Sequence, residues 1–147
     1  MKNNKGFSLL ELLIVVAIIL IIATIAIPSL LRSRQAANES AAVANMRTLN
    51  TAEVTYLSSS GGTFGLMTHL IQAALIDDTF NTASRAKAGY LYGIEVDPVG
   101  QDYTIVAFPA SANTGRYGYY SRPDAVVRYW INASLAPTAA QAGRSVQ

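Results

Sequence analysis

The sequence predicts an α+β protein: one long N-terminal α-helix packed on a head of roughly four antiparallel β-strands. Three observations carry that prediction. An apolar run near the amino terminus passes into helix-favouring sequence that holds no Gly or Pro from Ser29 to Leu57. Beyond a Ser/Gly cluster, short segments alternate apolar and polar residues with period two. Turn-forming residues link those segments too closely for crossover connections, so consecutive strands must run antiparallel.

Met1 to Gly6 is polar and basic. Phe7 to Ile27 then gives an apolar helix of about 31 Å at the usual rise, matching a hydrocarbon core of about 30 Å. Lys2 and Lys5 on its N-terminal flank predict a cytoplasmic amino terminus with the remainder exported. A conventional signal peptide is the competing reading. It calls for a shorter apolar stretch of about 7 to 15 residues and a small-x-small cleavage site, and Thr24-Ile25-Ala26 is a poor one.

Pro28 removes one backbone donor, so a kink is expected there without an end to the helix. Helical spacing puts Ala42, Val43, Met46, Leu49, Val54, Tyr56 and Leu57 on one side, the expected packing face. Ala44, Thr48, Thr51 and Thr55 fall opposite and should stay free for a neighbour. From Phe7 to Leu57 the helix would be about 76 Å long, more than a small head can cover.

Ser58 to Gly62 breaks the helix, and Leu66 to Ile76 reads as a second, short one. Tyr90, Tyr92, Ile94 and Val96 mark one face of a first strand, followed by a turn at Asp97-Pro98-Val99-Gly100. Strands are also expected at Asp102 to Phe108, Arg116 to Ser121 and Ala125 to Asn132. Their meander has one face to bury, and the amphipathic helix ending at Leu57 supplies the cover. The chain thus divides into a leader, 1–6; an apolar helix, 7–28; a head including the second half of the long helix, 29–132; and a flexible tail, 133–147.

Composition narrows the function classes. The sequence has no cysteine, which removes disulfides, thiol nucleophiles and cysteine-ligated metals. Its 11 basic and 9 acidic side chains become 9 and 9 once Lys2 and Lys5 are set aside, so nucleic-acid binding by bulk charge is not expected. A single histidine, His69, makes no zinc or nucleophile-base site. Asp77-Asp78 and Asp97 with Asp102 lack a recognisable calcium spacing and read as turns. Glu53 falls on the apolar side of the helix, either within reach of Arg128 or at a solvated rim, and takes no functional role. Asn38-Glu39-Ser40 and Asn132-Ala133-Ser134 are weak glycosylation matches. No catalytic constellation, metal site or cofactor is predicted, and the chain is not expected to be an enzyme.

One residue conflicts with its surroundings. Glu11 stands inside the apolar run, where a carboxylate carried to the bilayer centre costs about 2.5 to 3.5 kcal/mol. Lys5-Gly6-Phe7-Ser8-Leu9-Leu10-Glu11, followed by the apolar run and Pro28, resembles the signal of type IV pilins and of the pseudopilins of type II secretion. The close resemblance covers Met1 to about Tyr56; the head is similar in pattern only.

The resemblance implies a structural subunit, cut after Gly6 by a membrane-embedded prepilin peptidase and methylated on the new amino terminus at Phe7. It implies assembly by an inner-membrane platform, with identical subunits polymerising into a helical filament through Glu11 and the helix carrying Pro28. Before assembly the chain would be single-pass in the inner membrane, and afterwards in a surface pilus. Cleavage creates a cationic amine on Phe7 that can meet Glu11 of another subunit, offsetting part of the cost of burying either charge. The alternative is that Glu11 simply lies at the headgroup boundary. A major pseudopilin of a periplasmic type II secretion filament, or a minor pilin serving adhesion or DNA capture, are the competing functions.

Overall fold

The computed structural model describes residues 7–80, 86–131 and 144–145. It divides into two units, Met1–Arg34 and Gln35–Gln147. Both contain part of one helix, α1 (Leu9–Ser59), which runs through Pro28. Proline has no N–H to offer the carbonyl of Thr24, four residues earlier, yet the flanking Leu, Ile and Ala residues sustain the helix around this one missing bond.

In the second unit the rest of α1 is followed by α2 (Met67–Gln72), a 3₁₀ turn (Asp78–Phe80) and the strands β1 (Tyr90–Val96), β2 (Tyr103–Pro109), β3 (Gly118–Ser121), β4 (Arg128–Trp130) and β5 (Arg144–Ser145). The strands form one antiparallel sheet in sequence order, with Ile94 opposite Ile105, Ala107 opposite Tyr119 and Tyr119 opposite Tyr129. The helix-on-meander expectation therefore holds. The expected tail, 133–147, lies outside the described residues except for β5, an element its composition did not point to.

Period-two alternation explains the core. Tyr90, Tyr92 and Ile94 of β1 and Tyr103, Ile105 and Ala107 of β2 are buried against Ala42, Met46 and Leu49 of α1, with Leu70 and Phe80 completing the cluster. Aromatic rings meet edge to face, Phe64 on Tyr103 at 4.6 Å and Phe80 on Tyr92 at 5.4 Å between centroids.

Polar side chains on the packed side of α1 fasten successive pieces of the head. Asn38 donates to the Thr114 carbonyl at 2.9 Å, and Asn45 to the Tyr92 hydroxyl at 2.9 Å. Asn50 donates to Ser121 Oγ at 2.9 Å while its Oδ1 accepts the Tyr103 hydroxyl at 3.0 Å. Glu39 accepts the backbone N–H of Arg116 at 2.9 Å and its Nε at 3.2 Å. Each such bond contributes about 1 kcal/mol net, but leaving a buried member unpaired costs more, so together they fix the register of helix on sheet.

Four sequence expectations need correction. Val54, expected on the packing face, is 52% exposed; it lies about 80° round the helix from Met46, whereas Glu53 lies within about 20°. The third and fourth strands are shorter than 116–121 and 125–132, because the Arg116 N–H goes to Glu39 and the Val126 N–H to Asp124 Oδ1 instead of to the ladder. The second helix stops at Gln72 rather than Ile76: Ala74 adopts a left-handed φ of 54°, and the N–H groups of Ala74 and Leu75 return to Ile71 and Leu70, closing the helix end. Glu53 does not meet Arg128, which pairs with Asp124 at 2.6 Å.

Two substitutions of opposite sign test this packing. A Cβ on Gly115 would overlap the Tyr90 hydroxyl, which donates to the Tyr117 carbonyl at 2.9 Å. Gly115→Ala should therefore destabilise the head by about 1 to 3 kcal/mol. Ala88 holds a left-handed φ of 52° in the turn before β1, so Ala88→Gly should stabilise by about 1 kcal/mol. Denaturant unfolding of the full chain in detergent micelles, followed by the near-ultraviolet aromatic signal, reads both.

Candidate functional site

The first unit presents apolar side chains that none of the described residues covers. From Phe7 to Ile27 every residue except Ala23 is exposed, including Leu9, Leu12, Leu13, Val16 and Leu20 along one side. The segment is long and apolar enough to cross a membrane. Its polar members are few. Thr24 satisfies its hydroxyl within the helix by donating to the Ile21 carbonyl at 2.7 Å. That leaves Ser8 and Glu11.

These two meet at the helix start. The backbone N–H of Ser8 donates to Glu11 Oε2 at 3.5 Å, and Leu12 donates to the Ser8 carbonyl at 3.2 Å as the first bond of the helix. Glu11 thus reaches back to the Ser8 amide, one of the helix-terminal N–H groups that lack an intrahelical acceptor, in the manner of one arm of a capping box. The positive end of the helix dipole favours a carboxylate in this place. Sequence reasoning missed this local role, although Ser8 three residues before Glu11 was the available signal.

Of the sequence-predicted site residues, Glu11 lies in the first turn of α1 and Phe7, 77% exposed, stands two residues before the helix begins. Pro28 lies farther along α1 and is not part of that turn. Gly6 falls outside the described residues. On the far half of α1, Ala44, Thr48, Thr51 and Thr55 are exposed as expected. The three threonine hydroxyls bond back to carbonyls one turn earlier and so add little polarity to that face.

The acidic turns have structural occupations. Asp97 Oδ1 accepts the N–H groups of Gln101 at 2.6 Å and Asp102 at 2.9 Å, and these turn bonds hold its carboxyl below the ordinary aspartate range. Asp77 pairs with Lys87 at 2.9 Å, and the Lys87 ammonium also lies over the Phe80 ring. Among the described residues no cluster of three or more His, Asp or Glu is placed to hold a metal. His69 accepts the Leu66 N–H through Nδ1 at 3.2 Å and stacks on Tyr56.

Comparisons with known proteins agree with the helix start. Residues 1–27 match the family described as the prokaryotic N-terminal methylation motif. The chain is 29% identical to type II secretion system core protein G of Escherichia coli over 121 residues, covering 80% of this chain and 78% of the relative. It is 54% identical over 44 residues to the type IV wide pilus major component PilA4 of Thermus thermophilus, 30% of this chain and 34% of the relative. With the type IV major pilin protein PilA of Myxococcus xanthus the identity is 46% over 56 residues, 38% of this chain and 26% of the relative. No solved structure gives a significant match. The methylation motif, these relatives and a long apolar-ended helix joined to an antiparallel sheet make the chain similar to type IV pilins and type II secretion pseudopilins.

Proposed function

We propose that the chain is the precursor of a type IV pilus subunit, a structural rather than enzymatic protein. It is cut after Gly6 by a prepilin peptidase, methylated at Phe7 and polymerised with identical copies into a helical filament. The single observation that carries this reading is the uncovered apolar surface of Phe7 to Ile27, broken near its start by a carboxylate aimed at the helix N-terminus. Such a surface has two stable environments, lipid and the same surface of other copies. Exchanging lipid for protein requires an assembly platform in the inner membrane. The subunit waits there with its amino terminus cytoplasmic and its head exported.

Glu11 supports the order of events. Before cleavage its carboxylate has the Ser8 amide as a weak partner at 3.5 Å. Cleavage creates a cationic amine on Phe7, one residue away from that amide. In a bundle of such helices the amine of one copy and Glu11 of another remove both charges from an apolar medium together, which sets axial register more than it adds strength. A heterologous contact of this kind repeats without closing and so yields a filament.

A second reading has its own support. The type II secretion relative is matched over 78% of its length, against 34% and 26% for the two pilins, which favours a periplasmic secretion pseudopilus. Immunogold labelling of intact cells separates the two. Long labelled surface fibres support the pilus; label confined to the periplasm supports the pseudopilus.

Two variants test the processing and pairing steps. Glu11→Ala should leave cleavage and methylation of Phe7 intact by mass spectrometry while lowering sheared filament yield by about ten-fold or more. Normal filaments from Glu11→Ala would sink the pairing step. Gly6→Glu puts a charged side chain where the peptidase must approach the backbone, so uncut precursor should accumulate in the membrane.

A further inference from the structure

Glu53 is buried without an ion pair. The carboxylate has no exposed surface, and the ion pairs among the described residues belong to Asp77, Glu39 and Asp124. One oxygen, Oε2, accepts the backbone N–H of Gly65 at 3.0 Å, and the other, Oε1, is buried with no hydrogen-bond partner. An ionised carboxylate offers about four acceptor positions, so the charged form is poorly served here.

The segment that Glu53 holds is the connection between α1 and α2. Gly65 lies so close to Tyr56 that a Cβ on it would stand 2.9 Å from two ring carbons, which is how its amide reaches Glu53. The next amide, of Leu66, is held by His69 Nδ1 at 3.2 Å, which requires that nitrogen to be unprotonated. On the other side, Phe64 donates to the Gly100 carbonyl at 2.9 Å and packs on Tyr103. Tyr103 of β2 faces Glu53, and beside the Gly65 that it holds lie Tyr56 of α1 and, stacked on that ring, His69 of α2. The Tyr103 phenol is pushed up to about 12 by burial first, then by the charges of Glu53, Asp124 and Asp102.

We propose that Glu53 is a proton-operated latch on the α1–α2 connection: protonated, it keeps the segment shut on the helix; ionised, it releases Gly65 and admits water to the carboxylate. Burial pushes Glu53 up to about 7 from an ordinary 4.5, against the lowering effect of the Gly65 N–H, so the change falls near neutral pH. The sign follows from proton uptake. Between about 4.5 and 7 the shut form binds the proton and an open or unfolded form does not, so the shut form is favoured at lower pH and loses that advantage as pH rises. Opening the segment relieves the buried charge without dismantling the sheet, because Ser58, Ser59, Gly61 and Gly62 beside it are already exposed. Release takes Phe64 off the β1–β2 turn and changes the surface at that edge of the head.

Hydrogen exchange of the full chain in detergent micelles, expressed as protection relative to the intrinsic rate at each pH, tests the latch. Protection at Gly65 should fall about ten-fold or more between about pH 5.5 and pH 8.5, while Ile105 and Val106 in β2 stay protected. Glu53→Gln, neutral throughout, should hold Gly65 protection level across the range. A level profile in the native protein, or the same fall in Glu53→Gln, overturns the proposal. Should Glu53→Gln fail to fold, a ¹³C-carboxyl titration of the native chain decides. A Glu53 midpoint near 7 that coincides with loss of Gly65 protection supports the latch, and a midpoint in the ordinary glutamate range defeats it.

Discussion

An apolar helix surface that the described residues leave uncovered is the constraint on which the rest depends. Phe7 to Ile27 exposes leucine, isoleucine and valine around its whole circumference, and roughly 25 cal/mol is at stake for each square ångström removed from water. No monomeric form in water satisfies such a segment. Lipid does so before assembly, and other copies of the helix can do so afterwards. A subunit built in this way is never at rest as an isolated soluble molecule, which is why membrane insertion and polymerisation belong to one account.

Against that background the proposed pairing would give Glu11 a second partner after its local one. In the single chain it accepts the Ser8 amide at 3.5 Å. That bond is long and weak, and a stronger donor can replace it without much loss. Under the proposed processing, a charged amine at Phe7, two residues before the helix, would be such a donor. On that proposal the local contact and an intersubunit pair would use one carboxylate in succession.

The head solves a different problem, that of holding a small sheet on one helix in a single register. Its aromatic core supplies burial, but apolar contacts slide easily along a helix. Asn38, Glu39, Asn45 and Asn50 prevent sliding because each bonds to specific groups on the sheet or its loops and would be left unsatisfied by a shift. Glu53 extends this series to the α1–α2 connection. It differs in being ionisable with only half of its carboxyl satisfied, which turns a fixed fastening into one that responds to pH.

Sequence by itself determined the long helix, the meander of consecutive strands, the inward faces of β1 and β2, and the likeness of residues 1–27 to an N-terminal methylation motif. These rest on periodicity and on local chemistry, which are properties of neighbouring residues. Only the tertiary structure decided that Val54 faces outward while Glu53 points into the core, that Arg128 pairs with Asp124, and that β3 and β4 stop short. The reason is common to these cases. Which residue occupies the centre of a packed face, and which amides leave a ladder, depends on partners distant in the chain, such as Gly65 for Glu53 and Glu39 for Arg116. A wheel or an alternation pattern weighs residue types one element at a time, so it ranked Val54 above Glu53. Hydrogen bonds across elements reversed that order.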